Sequence, residues 1–229
     1  LQGSHAWEAE PDPDIQPGMC CYIAGLDVGG EERADPDKPG QTNLKRDSTV
    51  LTIGRAQYNE LQLPCIEIVH QIQWTGKPYP EQYAAVLALV EQWDIRQLVI
   101  DNTGQGAGLA SLLVEKLSKE RVEAFTFTRP SKSRLGYQLL ALVNSGRLSM
   151  YNEESAPPAI YRECWQQIRA ARYSLPAAET INFFVEPGEG HDDYLTSLAL
   201  CAQGLEAIIQ PAVSRVVPER PWYPGESRY

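Results

Sequence analysis

The sequence predicts an α/β fold in which a mixed β-sheet is flanked by helices. Three apolar or alternating segments come first, with hairpin-like connections that predict an antiparallel meander. After them the apolar residues change to helical spacing, and the predicted helices alternate with short strands. A meander followed by alternating helices and strands is typical of a mixed sheet with helices on its faces. The 229 residues suffice for one such domain.

The three meander strands have different signatures. Residues 20–26 form a continuous apolar run, and residues 48–54 are rich in β-branched side chains. Residues 65–74 alternate, with Val69 as the exception, so that one face carries Ile66, Ile68, His70, Ile72 and Trp74. His70 lies in this apolar row, which predicts a hydrogen-bonded core histidine.

The rest of the chain is predicted to contain five helices and four strands. Apolar residues at helical spacing predict helices around residues 83–90, 109–117, 135–143, 160–168 and 192–209. Short apolar segments between them predict strands at residues 97–101, 123–127, 147–150 and 181–185.

The composition changes at both ends of the predicted domain. The first five residues are typical of an affinity-tag remnant, and residues 6–18 are polar and proline-rich, so we expect residues 1–18 to be remnant and linker. The domain itself is predicted to span residues 19–209. Residues 210–229 carry four prolines and predict a tail. No run approaches the roughly 18 apolar residues of a membrane span, so no membrane partner is expected.

Carboxylates stand at the ends of three predicted elements. Asp27 ends the first strand, Asp101 ends the fourth, and Asp192 and Asp193 open the last helix. If the first and fourth strands are neighbours, they lie about 4.8 Å apart and their aspartates can share a metal ion. Mg²⁺ and Mn²⁺ prefer oxygen ligands, and phosphodiester hydrolysis uses two such ions about 3.5–4 Å apart. The pattern therefore predicts metal-dependent phosphodiester hydrolysis.

Each aspartate also has a purely structural interpretation. Asp27 can begin a turn before two glycines, and Asp101 can cap the helix that follows Gly104. Either Asp192 or Asp193 can be an N-cap, but one helix end does not need two caps. The joint occurrence of the four carboxylates favours catalysis over these separate roles.

Helical spacing distinguishes the two adjacent aspartates. Asp192 precedes Leu195 by three residues, so it is predicted to point with the packed face of the helix toward the sheet. Asp193 is then the better cap or second ligand. His191, four residues before Leu195, is a candidate metal ligand or water partner.

The net charge of −10 argues against strong nucleic-acid binding by this chain alone, because nucleic-acid-binding domains are usually basic. Bound divalent cations would offset part of the charge. Two local basic segments are candidates for phosphate contacts: Lys38, Lys45 and Arg46 in one loop, and Arg129, Lys132 and Arg134 in another.

Three segments, in this order, resemble the nuclease domain of the large terminase subunit of tailed bacteriophages. They are residues 25–30 (Gly-Leu-Asp-Val-Gly-Gly), 98–106 (Leu-Val-Ile-Asp-Asn-Thr-Gly-Gln-Gly) and 190–201 (Gly-His-Asp-Asp-Tyr-Leu-Thr-Ser-Leu-Ala-Leu-Cys). The third is the most specific, and the likeness extends from about Cys20 to Glu206. Residues 47–50 resemble the family's second strand, and residues 129–132 the basic segment before its next helix.

The resemblance implies a ribonuclease H-like fold and an endonuclease that cleaves double-stranded viral DNA during genome packaging. The resemblance also implies that Asp27, Asp101 and Asp192 bind two Mg²⁺ or Mn²⁺ ions, with Asp193 as a further ligand. The accessory candidates are Asp47, His191 and Lys132, and the DNA-contacting candidates are Lys45, Arg46, Arg129, Lys132 and Arg134.

The implied partners are a packaging ATPase domain, the portal and the small terminase subunit, in the cytoplasm of an infected or lysogenic bacterial host. Full-length members carry the ATPase domain before the nuclease. This sequence has no Gly-x-x-x-x-Gly-Lys-Ser/Thr loop, so we expect it to be the nuclease half.

Three competing interpretations stay open. A Holliday-junction-type resolvase of the same fold usually has a glutamate at the second position, where this chain has Asp101. An actin-like phosphotransferase also begins with Asp-Val-Gly-Gly, but Glu31 and Glu32 follow here and would repel phosphate. A non-catalytic module that docks DNA or a motor partner would hold the carboxylates together without metal, at an electrostatic cost.

Overall fold

The computed structural model describes residues 3–15, 20–30, 48–186 and 188–209, which form a seven-stranded mixed sheet, a two-stranded hairpin and five helices. The sheet contains β1 (Gly3–His5), β2 (Cys20–Asp27), β3 (Thr49–Tyr58), β4 (Pro64–Trp74), β5 (Gln97–Asp101), β6 (Val122–Phe125) and β7 (Leu148–Tyr151). The hairpin contains β8 (Ala171–Ala177) and β9 (Thr180–Val185). The helices are α1 (Tyr79–Gln92), α2 (Gly106–Leu117), α3 (Arg129–Asn144), α4 (Pro158–Ala170) and α5 (Asp193–Ile209).

The strand order in the sheet is β1-β7-β4-β3-β2-β5-β6. The β2–β3 and β3–β4 pairs are antiparallel, which confirms the predicted meander. The β2–β5, β5–β6 and β4–β7 pairs are parallel. The first and fourth predicted strands, β2 and β5, are therefore neighbours, and the mixed α/β fold is confirmed.

Helices cover both faces of the sheet. Along β2, Ile23 packs into the layer that contains α3, α4 and α5, whereas Ala24 packs into the layer that contains α1 and α2. The same alternation along β5 separates Val99 from Leu98. Because both faces of β2 and β5 are buried, their sequences are continuously apolar. Among the described residues, no helix is long and apolar enough to cross a membrane.

Helix α5 lies directly on the backbone of β2 at Gly25. A Cβ atom at this position would overlap the amide nitrogen of Cys201 and the carbonyl oxygen of Ser197. The Ser197 hydroxyl donates a hydrogen bond of 2.9 Å to the carbonyl oxygen of Gly25. Glycine is therefore required here by close approach, and the contact fixes α5 against the strand that ends in Asp27.

The predicted alternation in β4 is interrupted at Val69. The register passes from Gly54 opposite Ile68 to Ile53 opposite His70, which leaves Val69 as the extra residue of a β-bulge. Ile68 packs on the α5 side of the sheet and Val69 on the α1 side. His70 is half-buried and hydrogen-bonded, with its Nδ1 2.7 Å from the carbonyl oxygen of Glu8. Because of the bulge, Trp74 packs on the α1 side, opposite to Ile68, so the prediction that residues 66–74 present one apolar face is wrong.

Residues 3–15 pack against the sheet, which the sequence did not predict. Residues 3–5 form β1 beside β7. The Trp7 ring contacts His70 at a tilt and Tyr151 edge-on, with centroid distances of 4.7 Å to each. Glu8 accepts a hydrogen bond of 2.8 Å from Arg55. A lone tryptophan among acidic residues and prolines carries no periodic signal, so this packing has no sequence signature. The boundaries of remnant, linker and tail stay predictions.

Strand β8 was also not predicted. All but its first residue are exposed, including Tyr173 and Leu175, because β8 pairs only with β9 and not with the main sheet. A strand without a buried face has no reason to show apolar alternation.

Candidate active site

Asp27 is the last residue of β2, at the centre of the sheet. It lies opposite Val50 of the antiparallel neighbour β3, and the preceding residue Leu26 lies beside Ile100 of the parallel neighbour β5. The chain must leave the sheet after Asp27, and it does so through Val28 and Gly29. The half-buried side chain of Asp27 therefore stands at the carboxyl end of a central strand.

Asp101 is the last residue of β5 and lies beside the end of β2. Because the two strands are parallel and in register, Asp27 and Asp101 end at the same edge of the sheet. Asp101 Oδ1 accepts a hydrogen bond of 2.7 Å from the backbone amide of Thr103. The N-cap of α2 is Gln105, so the interpretation of Asp101 as a helix cap is wrong.

Burial raises the pKa of the Asp101 carboxyl above its ordinary value, and the hydrogen bonds to Thr103 oppose this effect. Desolvation disfavours the ionised form, so the buried carboxylate is held at an electrostatic cost in the absence of a cation. A divalent ion in contact with Asp101 would relieve that cost.

Asp193 is the first residue of α5 and is only 5% exposed. Its Oδ2 accepts a hydrogen bond of 2.9 Å from the backbone amide of Ser48, so the carboxylate is bonded to the residue just before β3. Asp192 precedes the helix and is half-buried, and its carbonyl oxygen accepts the amide of Thr196 at 2.7 Å.

The prediction that Asp192 points with the packed face more than Asp193 is wrong. The helical spacing used for that prediction assumed that Asp192 is part of the helix, but α5 begins one residue later. Outside the helix the three-residue offset from Leu195 carries no directional information.

All four aspartates line one cleft of about 260 Å³ at the edge of the sheet. Its lining residues are Asp27, Val28, Gly29, Asp101, Phe127, Lys132, Asp192, Asp193 and Thr196. Lys132 is the basic residue of this group. Its Nζ lies 5.1 Å from the centre of the Phe183 ring, within cation–π distance.

The donor chemistry of the cleft fits a hydrated divalent cation. Four carboxylates supply the hard oxygen ligands that Mg²⁺ and Mn²⁺ prefer. Within the described ranges, no three His, Cys, Asp or Glu side chains are gathered closely enough to hold an ion by themselves. Mg²⁺ is ordinarily bound through one or two carboxylates and keeps several water molecules, so a closed set of protein ligands is not needed.

The chain matches no family model and no curated protein at significant similarity. Its fold, however, matches solved structures. The large terminase nuclease from thermophilic phage G20c with bound magnesium superposes with a TM-score of 0.61, at 19% identity over 88% of this chain and 92% of that chain. The fold is that of a large terminase nuclease domain.

Two further structures share this terminase nuclease fold. The HK97 bacteriophage large terminase superposes with a TM-score of 0.55, at 12% identity over 84% of this chain and 40% of that chain. A variant nuclease domain of the large terminase subunit gp2 of bacterial virus Sf6, with manganese and β-thujaplicinol, has a TM-score of 0.51 at 12% identity over 80% of this chain and 87% of that chain. The predicted resemblance and the ribonuclease H-like fold class are confirmed.

The other predicted site residues fall outside the cleft or outside the described residues. Lys38, Lys45, Arg46 and Asp47 lie outside the described residues. His191, directly before Asp192, is half-buried and is not among the residues that line the cleft. Arg129 lines an adjoining cavity together with Lys132, whereas Arg134 is exposed and lines neither.

Three contributors to the acidic cleft were not predicted from the sequence. Thr196 follows Asp193 by three residues within α5, so helical spacing contained the signal that brings it to the same face. Phe127 lines the wall just after β6. Ser48 acts through its backbone amide, which no side-chain pattern can indicate.

Proposed function

We propose that this chain is a metal-dependent endonuclease that cleaves double-stranded viral DNA during genome packaging. The observation that carries the proposal is the meeting of Asp27, Asp101, Asp192 and Asp193 in one cleft of a terminase nuclease fold. These carboxylates come from three separate elements, and separate structural roles would not require them to meet.

In this proposal Asp27, Asp101 and Asp192 hold two Mg²⁺ or Mn²⁺ ions, with Asp193 as a further ligand. When bound, the ions supply an activated water and stabilise the leaving oxygen of the phosphodiester. The carboxylates orient the ions. Burial disfavours the ionised form of Asp101 and raises its pKa, so a bound cation would stabilise the ionised form. The Lys132 ammonium favours a phosphate at the mouth of the cleft.

The proposed path of the DNA backbone follows the basic side of the cleft. A second cavity of about 380 Å³ adjoins it at Phe127 and Lys132 and includes Arg129. Together with Arg134, and with Lys45 and Arg46 outside the described residues, these side chains are the proposed phosphate contacts. The net charge of −10 limits how tightly they can hold DNA.

We further propose that other parts of a packaging machine supply most of the DNA affinity. The match covers only 40% of the HK97 large terminase, so that protein has a further part outside the matched region. The proposed partners are a packaging ATPase domain, the portal and the small terminase subunit, and the proposed location is the cytoplasm of an infected or lysogenic bacterial host.

The test is nicking of supercoiled plasmid at low salt with Mn²⁺ or Mg²⁺. Asp27→Asn and Asp101→Asn keep the side-chain shape and remove the charge, so each is expected to lower the cleavage rate at least about a hundredfold. Chelation of the metal is expected to abolish cleavage by the parent protein.

Asp94→Asn is the matched control. The side chain of Asp94 is fully exposed after α1 and its backbone φ is 43°, a conformation that asparagine tolerates well. This variant should cut like the parent. If the folded parent does not cut, or if the Asp27 and Asp101 variants cut equally well, the catalytic proposal is wrong and a non-catalytic docking module is favoured.

A further inference from the structure

Ser48, just before β3, and Thr49, its first residue, contact both halves of the acidic cleft. The backbone amide of Ser48 donates to Asp193 Oδ2 at 2.9 Å. The hydroxyl of Thr49 accepts a hydrogen bond of 3.0 Å from the backbone amide of Gly29, two residues after Asp27. Adjacent residues therefore hold the helix that carries one carboxylate and the loop that follows the other.

The Thr49 hydroxyl is itself fixed by a glutamine from α1. Thr49 Oγ1 donates to Gln82 Oε1 at 2.9 Å, and Gln82 Nε2 donates to the carbonyl oxygen of Lys77 at 2.6 Å. Both side chains are only 1% exposed. A buried glutamine is costly unless both ends of its amide are bonded, and here both are.

Donation in this chain of hydrogen bonds runs away from the cleft, from the Gly29 amide to Thr49 and from Thr49 to Gln82. Thr49 Oγ1 also lies 3.4 Å from the carbonyl oxygen of Gly29, but its single proton has the shorter partner in Gln82. The oxygen lone pair is thereby aimed at the Gly29 amide. Gly29 and Val28 line the cleft wall, so any shift of Gly29 displaces the wall and the end of β2.

Packing alone does not explain a threonine at this position. Valine has nearly the same shape and the same preference for strands, and it carries no hydroxyl that must be satisfied when buried. What threonine adds is the hydrogen bond to the loop beside Asp27. Gln82 of α1 likewise has a buried side-chain amide, whose oxygen accepts the hydrogen bond from this hydroxyl.

We propose that Thr49, oriented by Gln82, is a positioning residue for the Asp27 carboxylate. The inference rests on the proposed function in one respect, that the cleft binds a divalent cation. Thr49 acts through Gly29 and makes no contact with the substrate. Its loss should weaken metal binding more than the accompanying loss of stability explains.

The test is calorimetric titration of the full chain with Mn²⁺ in the absence of DNA, so the readout does not depend on cleavage. Thr49→Val leaves the Gly29 amide without its partner and is expected to raise the Kd for Mn²⁺ about fivefold. Gln82→Met frees the Thr49 hydroxyl to reorient, and we expect a rise of about two- to threefold. Thr49→Ser retains the hydroxyl and should stay within about twofold of the parent.

Tyr151→Phe is the control for stability. It removes a buried hydroxyl that donates to Gln71 in the core, and neither residue lines the cleft. Its melting temperature should fall by about 2–4 °C, as for Thr49→Val. Its Kd for Mn²⁺ should equal that of the parent, because the hydrogen bond that it loses does not support the loop after Asp27.

The outcomes separate this inference from the proposed function. If the parent binds Mn²⁺ and Thr49→Val binds it equally well, the positioning role is wrong while the metal site stands. Equal weakening in Thr49→Val, Thr49→Ser and Tyr151→Phe would also overturn it, since stability alone would then explain the loss. If the parent does not bind Mn²⁺, both proposals fail. If Thr49→Val does not fold, the test uses Gln82→Met instead. A Kd for Mn²⁺ equal to that of the parent in this variant would then refute the inference.

Discussion

The carboxylate of Asp193 accepts a hydrogen bond of 2.9 Å from the backbone amide of Ser48, a residue 145 positions earlier in the chain. Both groups are buried. The contact joins the first residue of the last helix to the start of a central strand, so it connects the stability of the fold to the geometry of the acidic cleft.

This hydrogen bond predicts that replacing Asp193 destabilises the protein more than replacing Asp192. Asp193→Ala leaves the buried Ser48 amide unsatisfied and is expected to lower the free energy of unfolding by about 1–3 kcal/mol. Asp192→Ala removes a half-buried side chain outside the helix and should change it by less than about 1 kcal/mol. Urea denaturation of both metal-free variants measures the difference, and equal costs would contradict the assignment of Asp193 as the structurally bonded carboxylate.

The contact between α5 and β2 predicts that Gly25 tolerates no side chain. Gly25→Ala forces α5 away from the strand and should destabilise the protein by about 3 kcal/mol, the upper end of ordinary overpacking. Gly204→Ala, in the same helix, is the control: its Cβ would meet Ile23 at 3.5 Å, an ordinary contact, and the helix gains up to about 1 kcal/mol. Thermal unfolding of the two variants should therefore shift in opposite directions.

The packing of Trp7 predicts that the segment before β2 contributes to stability. Trp7→Ala removes ring contacts with His70 and Tyr151 and should cost about 2 kcal/mol, less than for a fully buried tryptophan. Tyr173→Ala removes an aromatic side chain that is 63% exposed and should cost less than about 0.5 kcal/mol. An unstructured linker would instead make Trp7→Ala as neutral as the control, which chemical denaturation would detect.

His70 predicts a component of the pH dependence of stability. Burial lowers the pKa of His70 below its ordinary value, so the unfolded chain takes up a proton at higher pH than the folded chain. Stability from this group is complete above the unfolded pKa of about 6.5 and is lost as the pH falls below it toward the lowered folded value.

The variant that tests this contribution is His70→Asn. Asparagine retains a hydrogen-bond donor near the position of Nδ1 and does not titrate. Urea denaturation at about pH 7.5 and about pH 5.5 should show a smaller acid-induced loss in the variant than in the parent, by on the order of 1 kcal/mol. The variant has to be compared with the parent at both pH values, because other groups also change the stability with pH. Burial raises the pKa values of Glu8, Asp101 and Glu123, and their effect on the free energy of unfolding has the opposite sign. Identical pH profiles would refute the role of His70.

Most of the fold could be predicted from the sequence because burial leaves a periodic record. The continuous apolar character of residues 20–26 and 97–101 predicted strands covered on both faces, and β2 and β5 are such strands. Asp27 and Asp101 could be predicted for the same reason, since each ends a continuously apolar strand.

What could not be predicted depends on single contacts without periodicity. The first residue of α5 decides which of Asp192 and Asp193 is buried, and helix starts are uncertain by one or two residues. The hydrogen bonds of Ser48 and Thr49 are made by one backbone amide and one hydroxyl. Their partners lie far away along the chain, so no local pattern records them.

The contact of Ser197 with Gly25 joins residues 172 positions apart and has a consequence for the order of assembly during synthesis. The ribosome releases Asp27 and Asp101 long before it releases α5. A nascent or truncated chain therefore holds the two strand aspartates without Asp192, Asp193 and the helix that fixes them. The acidic cleft can be complete only after the last helix has left the ribosome and docked on β2. A partly synthesised chain therefore has an incomplete acidic cleft.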